Sequence, residues 1–177
     1  MTTEKYIFPL SFAQERLWFL EQFEPDSSLY IMEDMGVHIK GMLDIKILKD
    51  CLQKIVNRHE TLRTNFDSIE GRPVQIVDET REIDLDIIDL SEAKSDDVFA
   101  HAQQIAVEII RKPLNLKDDA LFKAFLIELD KDEFILFFAM HHIISDGLSI
   151  NILLKELGSL YSGEVTGQNI ELPDLPI

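Results

Sequence analysis

The 177-residue chain has the length of one ordinary domain, and its 46% hydrophobic and 28% charged residues place it with folded globular proteins, not disordered ones. Seventeen Lys and Arg against 33 Asp and Glu give a formal charge of −16, which speaks against nucleic-acid or anionic-membrane partners, because phosphate recognition needs basic surface. Cys51 is the only cysteine, so an internal disulfide is impossible; residues 1–8 lack a signal-peptide pattern, no apolar run reaches membrane-spanning length, and the expected location is the cytoplasm.

In chain order, Ser11-Phe12-Ala13-Gln14 has the form of a capping box, in which a hydroxyl and an amide side chain each satisfy a free backbone N–H, and it predicts a helix over 11–23. Residues 29–40 read as a strand on Ile31, Val37 and Ile39, weakened by Gly36 and two acids. Apolar residues at Ile45, Leu48, Cys51, Leu52, Ile55 and Val56 recur at helical spacing and predict an amphipathic helix over 44–59, with Cys51 on its buried face. Two short strands, 62–66 and 73–77, follow around a turn at Glu70-Gly71, with a further strand over 83–88.

Between positions 78 and 97 nine acids face only Arg81 and Lys94; a solvated rim is the simple reading, and a docking surface for a basic partner the other. A helix over 91–111 should end before Pro113. Strands 121–129 and 134–140 flank the polar turn Asp130-Lys131-Asp132-Glu133. The second is apolar throughout, which suits a central strand covered on both faces, so His141 and His142 should emerge at the rim of a packed sheet. A helical pattern resumes over 148–161, and past Ser162 the composition turns linker-like. The irregular alternation of helices and strands, with a hairpin, favours an α/β sandwich with a mixed sheet.

The sequence His141-His142-Ile143-Ile144-Ser145-Asp146-Gly147 gathers groups that can carry chemistry. A neutral imidazole accepts a proton from an amine or hydroxyl near neutral pH, and its charged form stabilises developing negative charge. Neighbouring side chains point apart in extended chain, so one ring should face substrate and the other should be held inside. On residue type alone, two packed histidines with Asp146 capping the next helix remain an alternative. A metal site is the weaker reading, since adjacent rings diverge and no second ligand group accompanies them. Ser145 and Ser149 sit in no nucleophile elbow.

Three segments together resemble the condensation domains of nonribosomal peptide synthetases. They are Ser11-Phe12-Ala13-Gln14-Glu15-Arg16-Leu17-Trp18-Phe19-Leu20, Arg58-His59-Glu60-Thr61-Leu62-Arg63-Thr64-Asn65-Phe66 and Met140-His141-His142-Ile143-Ile144-Ser145-Asp146-Gly147, which match that family's first three motifs in order and spacing. The pattern is most similar to the branch that joins L-configured or achiral donors to L-configured acceptors. It departs at Leu148, where tryptophan commonly follows the glycine.

The resemblance implies a chloramphenicol-acetyltransferase-like fold, a mixed-sheet two-layer sandwich forming one lobe of a two-lobed, V-shaped domain. Residues 1–177 would be the N-terminal lobe, with the C-terminal lobe absent. The implied activity is amide-bond formation in secondary metabolism, such as antibiotic biosynthesis, between a carrier-protein-bound thioester donor and a carrier-bound amine acceptor. His142 would be the catalytic residue. His141, Asp146 and Arg63 would support the loop, with Asp146 and Arg63 as a shielded ion pair, and Gly147 would let the backbone approach substrate. No cofactor or metal is implied, because substrates arrive on the phosphopantetheine arms of donor and acceptor peptidyl carrier proteins. Adjacent synthetase modules and the other lobe would be the remaining partners. A free-standing acyltransferase of the same superfamily and a non-catalytic interaction or structural fragment are the competing readings, and the isolated half-domain is expected to be inactive.

Overall fold

The computed structural model describes residues 5–23, 31–32, 36–93 and 97–175. Strand β1 (Lys5–Pro9) leads into helix α1 (Phe12–Phe23). The predicted capping box is formed: the Gln14 side chain accepts the Ser11 N–H at 2.9 Å, and the Ser11 hydroxyl accepts the Gln14 N–H at 3.3 Å. Two short strands, β2 (Ile31–Met32) and β3 (Gly36–Lys40), occupy the region read as one; positions 29, 30 and 33–35 lie outside the described residues.

Helix α2 (Ile45–Arg58) starts at Asp44, whose carboxylate accepts the Ile47 N–H at 3.0 Å, and buries Leu48, Cys51, Leu52, Ile55 and Val56, the face expected from spacing. A 3-10 turn, Glu60–Arg63, takes Leu62 out of the predicted strand. Strands β4 (Thr64–Ile69) and β5 (Arg72–Asp78) then form a hairpin closed by Glu70 and Gly71, with φ of 52° and 75°. Both central residues are left-handed, as a two-residue turn matched to strand twist requires.

Strand β6 (Leu85–Asp89) and helix α3 (Val98–Ile110) precede the long hairpin of β7 (Phe122–Asp130) and β8 (Glu133–His141). Helix α3 begins later than predicted, at an Asp97 cap whose carboxylate accepts the Ala100 N–H at 2.9 Å. Helix α4 (Gly147–Thr166) closes the fold.

Strands β1, β5 and β4 make a three-stranded antiparallel sheet with β1 at its edge. The main sheet runs β2-β8-β7-β6, with β3 also on β8; β6 and β7 are parallel and the other pairs antiparallel. β8 is therefore central, and it is buried from Phe134 to His141. Its side chains alternate. Met140 faces a cavity shared with Leu62 and the α4 residues Ile152 and Leu153, whereas Ile135 and Phe137 face α3 through Ala106 and Ile110. The mixed-sheet α/β sandwich expected from the sequence is present, with α3 supplying cover on the second face. Gly36 is explained by this packing, since a Cβ there would come within 2.8 Å of the Phe137 ring.

Candidate active site at the end of the central strand

At the C-terminal end of β8 the chain leaves the sheet through a tight turn. The His141 N–H donates to Leu121 O (3.0 Å), and its carbonyl accepts the Ile144 N–H (3.0 Å) and the Ser145 hydroxyl (3.1 Å). Ile143 and Ile144 are buried at 3% and 6% exposure and anchor the turn in the core. The paired histidines are thus separated as pleating requires: His141 is 1% exposed, and His142 is exposed to solvent.

The two rings live under different electrostatics. Burial pushes the His141 pKa down to about 4, and the neighbouring His142 pushes it the same way. His141 Nε2 lies 3.8 Å from Glu21 Oε2, a distance at which a charged ring would be favoured. Its Nδ1, however, accepts the Ile143 N–H at 3.1 Å, so Nδ1 carries no proton and the ring is neutral, with its hydrogen on Nε2.

Asp146 caps α4. One carboxylate oxygen accepts the Ser149 N–H (2.9 Å), the Ser149 hydroxyl (2.8 Å) and the Leu148 N–H (3.0 Å). The Ser149 backbone bond, then its hydroxyl, hold the Asp146 carboxyl below the usual carboxylate range. The expected Asp146–Arg63 pair does not form. Asp146 is exposed and committed to α4, while Arg63, 8% exposed, donates from Nη1 to Asp78 O and reaches Glu60 Oε1 at 3.5 Å. The cap offers the carboxylate three donors at the exposed surface, with far less desolvation than a buried pair would need.

The second motif instead ties α2 to α4. Glu156, 8% exposed on the apolar face of α4, accepts Arg58 Nε at 3.3 Å through Oε1 and pairs with His59 Nε2 at 2.7 Å through Oε2. Arg58 also donates to Pro173 O. Sequence reasoning missed Glu156 and Glu21, yet both carry a signal: Glu156 falls on the stripe of Leu153, Leu157 and Leu160, and Glu21 on that of Leu17 and Trp18. An acid at a core position needs a partner.

Gly147 opens α4. A Cβ there would meet nothing within 4 Å, so the chain's own packing does not demand glycine. Leu148 and Ile152, one turn apart, are exposed beside the loop. Among the described residues no group of three or more His, Cys, Asp or Glu is arranged to hold a metal ion, and no helix is long and apolar enough to cross a membrane.

Comparison with known proteins agrees with this architecture. The family model described as "Condensation domain" matches residues 4–176. The chain is similar to one of the linear gramicidin synthase proteins of Brevibacillus parabrevis, 39% identical over 96% of this chain, and to surfactin synthase subunit 2 of Bacillus subtilis, 42% identical over 89%. It spans only 2% and 4% of those two proteins. Among solved structures it is similar to the starter condensation domain of rhizomide synthetase, with a TM-score of 0.85 at 23% identity. That match covers 96% of this chain and 42% of the other. The first condensation domain of the CDA synthetase gives 0.82 at 25% identity, covering 94% and 43%. The chain belongs to the condensation-domain family of nonribosomal peptide synthetases, and its fold is that family's chloramphenicol-acetyltransferase-like lobe.

Proposed function

We propose that this chain is the N-terminal lobe of a domain that joins a carrier-bound thioester donor to the amine of a carrier-bound acceptor, with His142 as the working residue. The observation that carries the reading is the contrast at the end of β8: an exposed His142 held next to a buried, neutral His141. The acceptor amine attacks the thioester carbonyl carbon and forms a C–N bond and a tetrahedral oxyanion. The His142 ring takes the proton the amine must lose, or its protonated form stabilises the oxyanion. Collapse breaks the C–S bond, and the phosphopantetheine sulfur leaves with a proton as the amide forms.

The neighbouring residues fit supporting parts. Asp146 and His141 fix the two ends of the loop, Gly147 leaves room for substrate against the backbone, and Leu148 and Ile152 offer apolar wall. Both solved relatives named above are more than twice as long as the part this lobe matches. The remaining lobe would supply the facing wall, with donor and acceptor carrier proteins delivering the substrates and no cofactor bound directly.

The test is His142→Ala in the complete domain, assayed with donor- and acceptor-loaded carrier proteins. The expected loss is roughly a hundredfold to ten-thousandfold with the fold retained, as for removal of a positioned acid–base group. Condensation kept within a few-fold would remove His142 from the mechanism.

A further inference from the structure

Among the described side chains of α1, the only buried one is an acid: Glu21 is 7% exposed, while Leu17 and Trp18 are half-buried and Phe12, Phe19 and Phe23 are exposed. Burying a carboxyl group against apolar neighbours is costly, so its placement calls for a polar counterpart. A polar group beside it is the His141 ring, with Glu21 Oε2 3.8 Å from Nε2, an electrostatic contact longer than a hydrogen bond. We infer that Glu21 is a positioning residue for the loop, holding the His141 ring in the orientation that presents His142 to substrate. The inference rests on the reading of His142 as the working residue.

The geometry is directional. Because Nδ1 accepts the Ile143 N–H, the ring hydrogen sits on Nε2, the nitrogen that faces Glu21. The N–H dipole therefore turns its positive end toward the carboxyl group. Rotating the ring, or moving the hydrogen to Nδ1, would lose that attraction and deprive the buried Ile143 N–H of its acceptor. With the backbone N–H and carbonyl of His141 already bonded to Leu121, Ile144 and Ser145, ring and main chain are both pinned one peptide bond from His142. A displacement of about 1 Å at a reacting group costs up to a hundredfold in rate.

The arrangement has an electrostatic side as well. Burial, and then the nearby His142, disfavour positive charge on the His141 ring, so it faces Glu21 as a neutral N–H donor. The Ile143 N–H fixes the tautomer, and Glu21 steers the ring through the N–H that this tautomer presents, as carboxylates behind metal-bound histidines orient theirs.

Two readouts test the assignment. NMR of the histidine rings in the 177-residue chain should show the His141 Nε2–H signal; Glu21→Leu should shift that signal and speed its exchange with water, and Glu21→Gln, which keeps an oxygen acceptor, should restore it. In the complete domain, Glu21→Leu should lower kcat by about tenfold to a hundredfold with acceptor KM changed by less than about twofold, and Glu21→Gln should recover most of the rate. A wild-type Nε2–H signal and rate in Glu21→Leu would overturn the assignment. If Glu21→Leu fails to fold, Glu21→Asp decides, because it withdraws the carboxyl group by one methylene. A rate below that of Glu21→Gln supports the assignment, and an equal rate overturns it. A changed Nε2–H signal in Glu21→Leu combined with full activity of His142→Ala would keep Glu21 as the support of His141 while rejecting the role given to His142.

Discussion

Replacing Asp146 with Ala removes three hydrogen bonds from the first turn of α4, and the expected cost is that of a helix cap, about 1 kcal/mol. Asp146→Asn should recover most of it. A loss of about 3 kcal/mol or more by chemical denaturation would show instead that the carboxylate answers a buried charge. His141 makes a prediction about pH. Above about pH 6.5 its ring is neutral in folded and unfolded chains alike. As pH falls, the unfolded chain takes up the proton first while the folded ring resists it to about 4, so stability is lost across that window, by up to about 3 kcal/mol. Urea midpoints of wild type and His141→Gln at pH 7 and 4.5 isolate the effect; an equally steep fall in both proteins would exclude it. The sequence made His142 and the separation of the two rings legible, because pleat and burial follow from one apolar strand. It did not make the partner of Asp146 legible, since an aspartate before a helix can either cap it or reach across, and only the positions of the available donors decide.

At the level of elements, α2 and α4 are joined by a buried acid between two basic groups. Glu156→Ala should cost on the order of 2–3 kcal/mol, because it strips Arg58 and His59 of their shared partner and opens a gap beside Leu153 and Leu160. Denaturant unfolding measures it, and a cost below about 0.5 kcal/mol would place the hold on apolar contacts alone. The β4–β5 hairpin offers the opposite sign. Glu70 adopts φ of 52°, which a residue with a bulky side chain tolerates poorly, so Glu70→Asn should raise stability by about 0.5 kcal/mol; an unchanged or lower midpoint would contradict that reading of the turn. Helices with a strong apolar stripe, such as α2, are readable to within a residue or two. The start of α3 is not, because acids and apolar residues in 91–97 satisfy a helical pattern that the cap at Asp97 cuts short. The break between Leu62 and Thr64 is equally hard to read, since one 3-10 turn leaves no periodicity of its own.

For the whole molecule, the isolated 177 residues should fold, with a core running from α2 through β7 and β8 to α4, yet catalyse little or no condensation. Rate depends on holding thioester and amine in attack geometry, an effect of several kcal/mol that one wall cannot supply. Amide formation by the fragment at a rate comparable to the complete domain would refute this. Tyr6, Ile7 and Phe8 on edge strand β1 are exposed, as are Phe12, at 92%, Phe19 and Phe23 on α1. Sedimentation should therefore show concentration-dependent association, weakened by Phe12→Ser; a monomer at all concentrations would mean that these aromatics form no adhesive surface. The clamp between the second motif and α4 bears also on the order in which the protein assembles. His59 and Arg58 meet Glu156 across 97 and 98 residues of chain, so the loop between β8 and α4 can take its final shape only after nearly the whole lobe has been synthesised. Such long-range closure is slow relative to the local helices, and the loop carrying His142 is expected to be among the last parts to become structured as the chain leaves the ribosome.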